Sequence, residues 1–432
     1  AGKNQSLLNY RPISITSHSC KIHEHIIFKQ IIEFLECNNV LSDAQHGFRR
    51  GFSSITQLTE FAHYIRQVLD AGDQIDAIFT DFSKAFDTVS HCKLLKKLTA
   101  ILKNEALANC ISSFLSNRAQ YVQFKSSHSS TSTVTSGVNQ GSILGPLLFQ
   151  IFINDLPSNV PVKIRMYADD CVLYHTIKTA HDHIILNDSF ALFQSWCDTW
   201  QMQISFRKTV SMSFSKRSSP SPFTYSLNAC PLGIVSQYKY LGLLFTQDLS
   251  WSQHNDLMCN RALKKLGYLQ RTLRSAALSI RVLTYKTLVR PILEYASVVW
   301  NPHKNSDINI IESVQKKAVR FIYRRFDRYF SPSSHLPILQ LTSLSSRRHA
   351  ECLKFLYTVI NSPRFPLLSK YIAHARATTT RNYHELNMST FAHRTMAFKY
   401  SFFVHSIELW SYLPGYVRSL SLDEFLLHIT NH

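Results

Sequence analysis

No C-x-x-C pair occurs among the nine cysteines of this 432-residue chain; Cys20, Cys37, Cys92, Cys110, Cys171, Cys197, Cys230, Cys259 and Cys352 are scattered. That spacing argues against a zinc knuckle or a disulfide framework and fits a reducing compartment. No apolar run approaches the roughly 18 residues of a membrane span. No signal peptide is legible at the front, and no repeat with a period of about 20–50 residues recurs. Acids are in short supply, with 28 Asp and Glu against 47 Lys and Arg, a net charge of +19. The basic excess is spread along the chain, which fits a polyanion partner, most naturally a nucleic-acid backbone. The plain alternative is a basic protein that is merely soluble. A hydrophobic content of 45% supports true cores, and the length suggests about three domains.

Two of the scarce acids stand side by side. Residues 164–173 read Ile-Arg-Met-Tyr-Ala-Asp-Asp-Cys-Val-Leu, a β-prone stretch whose tight turn would hold Asp169 and Asp170 at the tip of a hairpin. Adjacent carboxylates repel unless a cation sits between them, and hard oxygen ligands suit Mg²⁺ or Mn²⁺. Alone, such a turn reads as an exposed acidic loop. A third acid changes that: Asp81 follows the strand-like Ile75-Asp76-Ala77-Ile78-Phe79, at the carboxyl end where open α/β sheets present ligand-binding groups. Phosphodiester formation on a template needs two divalent ions held by carboxylates from separate segments. Asp81, Asp169 and Asp170 supply that set if their strands are neighbours in one sheet.

Helices are expected through Ile22, Ile26, Ile27 and Ile31, over 53–69, 92–102 and 106–114, over 147–156, and over 184–200. Strands are expected over 73–80, over 202–206 ending at Lys208, and over 238–245, with a hairpin across 121–135. Past about residue 250, Leu263, Leu266, Leu269 and Leu273 recur at helical spacing, with Arg261, Lys264, Lys265, Arg271 and Arg274 on other faces. Farther on, Ile311, Val314, Ala318 and Phe321 make an apolar stripe beside the ridge Lys316, Arg320, Arg324. These basic helices are either solvated faces of a bundle or surfaces for a polyanion. A Thr-rich linker at 377–380 and an aromatic block over 398–410 fall in the last hundred residues.

The order of these pieces resembles the reverse transcriptases of non-LTR retrotransposons (LINE elements), most of all the Jockey-type branch, over nearly the whole chain. Asn9-Tyr10-Arg11-Pro12-Ile13-Ser14 is similar to the first fingers motif and Gln45-His46-Gly47-Phe48-Arg49 to the second. Phe79-Thr80-Asp81-Phe82-Ser83-Lys84-Ala85-Phe86-Asp87 resembles motif A, residues 137–146 motif B, and Tyr167-Ala168-Asp169-Asp170 motif C. Lys208-Thr209 stands where motif D belongs, and Tyr240-Leu241-Gly242 where the primer grip belongs. Residues 288–295 resemble the thumb signature, and Ser401-Phe402-Phe403 with Trp410 and Leu413-Pro414 the C-terminal aromatic segment.

The resemblance implies an α+β fold: a right-hand polymerase with fingers and ferredoxin-like palm over 1–248, a helical thumb over 249–330, and a helical, aromatic C-terminal region over 331–432. It implies that Asp81, Asp169 and Asp170 hold two Mg²⁺ ions, with Mn²⁺ as a substitute, and that Lys208 protonates the departing pyrophosphate. Phe86 would be the gate that excludes a 2′-hydroxyl, with Phe82, Gln140 and Gly141 against the incoming dNTP and Arg11 clamping its triphosphate. Gln45, Gly47 and Arg49 would track the template, and Tyr240, Leu241 and Gly242 the primer. Lys316, Arg320 and Arg324 would lie on the RNA/DNA hybrid, read by backbone shape.

The implied activity is RNA-directed DNA synthesis on an RNA template from a DNA primer, as in target-primed retrotransposition, with nuclear activity. A decayed or co-opted nucleic-acid binder is the reading from another class, and an intron-type or telomerase-like polymerase fits the thumb residues less well. Two positions depart from the family pattern: Asn139 replaces a motif B proline, and Ser205 an asparagine shortly before Lys208. The text opens on Ala1 almost inside a motif, so a fingers lysine and an endonuclease are expected upstream. No spaced acids suggest an RNase H site, and no Cys/His knuckle follows.

Overall fold

The computed structural model describes residues 13–217, 221–362, 365–374 and 386–431. Arg11, with 9–12 of the first motif, and the 377–380 linker lie outside them. The chain divides into two compact units, one of residues 1–53, 76–212 and 221–235, the other of 54–75, 213–220 and 236–432.

The first unit is built on a five-stranded sheet. Its spatial order is Gly233–Ile234, Val210–Phe214, Gln74–Asp81, Asp170–Ile177, Lys163–Tyr167. Without the short edge strand, the chain runs β-α-β-β-α-β in the order 4-1-3-2, the ferredoxin-like arrangement expected of a palm. The strand Gln74–Asp81 is buried at every position but its last. Leu144–Ile153, apolar but for Gln150, buries every residue except Pro146, as a helix inside a core must. Around it pack Leu94 and Leu98 of His91–Leu102 and Phe190 and Phe193 of Ala180–Trp200.

Three expectations are corrected here. The opening helix, His18–Cys37, buries Glu24, Ile27, Ile31 and Leu35, while Ile22 and Ile26 are exposed. The 202–206 strand is reduced to one bridge, Ile204 to Phe82, and Lys208 sits in the turn before Val210–Phe214. The 238–245 strand is a hairpin, Gln237–Tyr240 against Leu243–Thr246.

In the second unit the helix Ser54–Ala71 is surrounded by the unit's own helices and loops, so His63 is 1% exposed inside a cage of Tyr371, Phe391, Phe398 and Phe403 rings. The aromatic block is thus core. Ser252–Thr272, Asn305–Tyr323 and Leu344–Ile360 supply the main helices, and the stripe Ile311, Val314, Ala318, Phe321 is buried as its spacing demands. The expected cuts at 248 and 330 are not where the units divide. Helix Ser54–Ala71 and the 237–246 hairpin belong with the C-terminal half, because their partners lie there. Among the described residues no helix is long and apolar enough to cross a membrane.

Candidate active site

Asp81 ends the strand Gln74–Asp81, and Asp170 begins the neighbouring strand Asp170–Ile177, directly opposite Tyr167 across the hairpin. Asp169 completes the turn. The next side chain, the Cys171 thiol, is buried. Its pKa is pushed well up by burial first, then by Cys197 and by the charges of Asp170, Asp169 and Asp81. Asp81 and the adjacent pair Asp169 and Asp170, far apart in sequence, thus bear on one buried thiol.

The carboxylate of Asp81 is paired with the ammonium of Lys208. The turn that delivers this lysine is fastened to the end of the same strand: the Ser205 amide donates to Asp81 O at 2.8 Å, and the Lys208 amide to Ser205 O at 3.0 Å. Lys208 is 63% exposed in its side chain and Asp81 14%, so the pair opens to solvent from the lysine side.

Among the described residues no three acids, histidines or cysteines stand in the arrangement of a closed metal centre. The donor set nonetheless fits Mg²⁺, which takes one or two carboxylates and completes its shell with water and substrate phosphates in place of an all-protein cage.

The acidic turn is supported from the fingers segment. Ala168 has φ +55°, a left-handed conformation that costs a non-glycine residue. Gln45 holds it: Oε1 accepts from the Ala168 amide at 3.0 Å and from the Gly47 amide at 2.7 Å, and Nε2 donates to Ala168 O at 3.3 Å. A Cβ at Gly47 would fall 2.4 Å from the Ala168 nitrogen, so only glycine permits this approach.

Gln45 is 3% exposed. Gln45 and Gly47 thus brace the acidic turn. Arg49 is also drawn inward; it donates to Ser42 O at 2.9 Å, pairs with Asp43 at 3.6 Å and lies over the Phe52 ring. Burial lowers its pKa, against the raising effect of Asp43. Phe48 and Arg50 are the exposed side chains of this segment.

Phe86 stacks on Phe149 at 4.5 Å between ring centres and meets Phe48 edge-on at 6.2 Å. Phe82 is 3% exposed and stacks on Phe193 in the core. Motif B is strapped to motif A: Val138 N donates to Phe86 O at 2.7 Å and the Gln140 side-chain Nε2 to Asp87 Oδ1 at 3.2 Å. Gly141, at φ +107°, leaves no room for a Cβ, which would meet Ser14 O at 2.7 Å. Gln140 and Gly141 thus bind motif A and the 13–14 segment. Asn139 fills the proline position with its side-chain nitrogen buried and unpartnered.

In the second unit, Leu241 and Gly242 form the hairpin turn with φ +43° and +91°, both positive as a primed turn requires. Tyr295 braces it, donating from its hydroxyl to Leu241 O at 2.9 Å. Tyr240 is 3% exposed and accepts from Gln57 at 2.7 Å, so its side chain packs in the core. Lys316 and Arg324 are exposed, while Arg320 donates to Asp327 O at 2.8 Å.

A model of the family described as reverse transcriptase (RNA-dependent DNA polymerase) matches residues 2–245. The chain belongs to the reverse transcriptase family. It is similar to the probable RNA-directed DNA polymerase from transposon BS of Drosophila melanogaster, at 29% identity over 73% of this chain and 36% of that protein. The corresponding protein of transposon X-element is 30% identical over 73% and 35%, and that of mobile element jockey 28% over 73% and 35%, both from the same fly. The chain thus spans about a third of the length of these relatives. They match the Jockey-type resemblance read from the motifs.

Sequence reading missed two supports of this reverse transcriptase domain. Glu24, 1% exposed, accepts from the amides of Ile143 at 2.7 Å and Leu144 at 3.1 Å, capping the helix that carries motif B. The signal was an acid three residues before Ile27 on the buried stripe. The buried set Asp76, Tyr225 and His183 joins the central strand to the helix Ala180–Trp200, with Tyr225 donating to Asp76 at 2.7 Å.

Proposed function

We propose that this chain is the part of a non-LTR retrotransposon protein that extends a DNA 3′ end on an RNA template. The observation that carries the reading is that Asp81 ends one strand and Asp170 begins its neighbour in the sheet, with Asp169 in the turn before it and Lys208 against Asp81. Asp81, Asp169 and Asp170 would hold two Mg²⁺ ions, which when bound activate the primer hydroxyl and neutralise the triphosphate. Lys208, exposed and within reach of the same carboxylate, is the group that can give a proton to the leaving pyrophosphate.

The ring of Phe86 is fixed between Phe149 and Phe48 and would exclude a 2′-hydroxyl. Gln45 and Gly47 keep the acidic turn in its costly conformation, so their part is to position the acids. Lys316 and Arg324 would lie along the hybrid by phosphate contact. Target-primed integration in the nucleus, with nicking by an endonuclease elsewhere in the parent protein, is the setting this reading implies.

Extension of oligo(dT) on poly(rA), with poly(dA) as the competing template, tests it. Addition of dTMP that EDTA abolishes and that favours the RNA template is expected. A shifted hybrid in a gel with no added nucleotide would replace this reading with that of a nucleic-acid binder.

A further inference from the structure

Within the second unit a cavity of about 340 Å³ is lined by Arg66, Lys216, Asp248, Trp251, Ser252, His303, Lys304 and Asp307 among others. Two buried donors on its wall have no acceptor: Arg66 Nε and Trp251 Nε1, in side chains 7% and 6% exposed. The other Arg66 nitrogens donate to the carbonyls of Ala397 and Leu249. Carbonyls satisfy hydrogens but do not neutralise charge. Among the described residues no carboxylate pairs with this guanidinium. A buried unpaired charge is costly, and burial lowers the Arg66 pKa to about 10 against the pull of Asp248.

Two long helices begin at the same cavity. Trp251 is the residue before Ser252–Thr272 and Lys304 the residue before Asn305–Tyr323, and neither helix has a side-chain cap. Uncapped first-turn amides and the positive ends of two helices favour an anion. The acids on the wall are turned to local tasks: Asp307 accepts from Ser252 Oγ at 3.0 Å, and Asp248 accepts from Thr246 Oγ1 at 2.7 Å and the Ser250 amide at 3.0 Å.

We propose that this cavity binds a phosphate group, which accepts from Arg66 Nε and Trp251 Nε1 at the two helix starts, with Lys216 and Lys304 at its sides. The phosphate can be free, as in polyphosphate, or belong to a nucleic-acid backbone. The shared chemistry is a tetrahedral oxyanion that neutralises Arg66.

Calorimetry and thermal melts of the full chain with inorganic phosphate and with tripolyphosphate, at matched ionic strength in chloride, test this without any polymerase readout. Wild type should bind at least one of the two and melt higher in its presence. Trp251→Phe keeps the ring and removes one charge-assisted donor, so it should weaken binding by about tenfold. Arg66→Met should abolish it; should that variant not fold, Trp251→Phe carries the test alone.

Absence of heat and of a melting shift with both probes, or unchanged affinity in Trp251→Phe, overturns the proposal. Competition assigns the source. A backbone phosphate is the ligand if tripolyphosphate displaces an RNA/DNA hybrid from wild type and Trp251→Phe weakens that hybrid; a free phosphate is the ligand if both probes bind and the hybrid affinity does not move.

Discussion

The side-chain amide of Gln45 bonds both polar groups of Ala168, accepting from its N–H at 3.0 Å and donating to its C=O at 3.3 Å. This clamp holds a left-handed alanine one residue before Asp169. Gln45→Ala would leave the buried Gly47 and Ala168 amides without their acceptor, at a cost of about 1–3 kcal/mol. The expected outcome is a lower melting temperature with primer extension reduced more than hybrid affinity. Extension equal to wild type would show that the turn holds itself.

Phe86 is held by rings on two sides, so a smaller side chain opens space at one defined place. Phe86→Val should raise ribonucleotide incorporation relative to dNTP incorporation, measured as the ratio of kcat/KM values. An unchanged ratio would remove the gate role from Phe86.

His63 and His254 are 1% and 7% exposed, and burial lowers their pKa values to about 3 and about 4. Both remain neutral in the folded chain where an unfolded histidine, near 6.5, takes a proton. Stability is therefore full above about pH 6.5 and is lost as pH falls toward 4, by up to about 1.4 kcal/mol per pH unit for each group. Urea melts at pH 7.5, 6 and 5 should show the decline, and His63→Phe should make it shallower by about one proton. The same slope in both proteins would contradict it.

Lys316 and Arg324 are exposed, whereas Arg320 is tied to the Asp327 carbonyl. Lys316→Gln and Arg324→Gln should each reduce the salt slope of hybrid binding by about one unit, and Arg320→Gln by less. A slope that does not move for any of the three would leave them facing only solvent.

Legibility in the sequence followed the reach of each signal. The central strand, the acidic hairpin and the stripe from Ile311 to Phe321 rest on periods of two and 3.6 within one segment, and they stand as read. The same period places Phe82: it follows Asp81 in an extended chain, so it faces away from the acids into the core. The partners of Tyr240 and Gln45, Gln57 and Ala168, lie 183 and 123 residues away. No local pattern records such a pairing. The same holds for the cage around His63, which is assembled from residues more than three hundred positions downstream.

The central claim is that Asp81, Asp169 and Asp170 act together at one site. Mg²⁺-dependent dTMP addition to oligo(dT) on poly(rA), compared for wild type, Asp81→Asn, Asp169→Asn and Asp170→Asn, tests it most directly. Each substitution should cost several kcal/mol of transition-state stabilisation, on the order of a thousandfold in rate, while the hybrid affinity holds. Wild-type rates in any one of the three variants would contradict it.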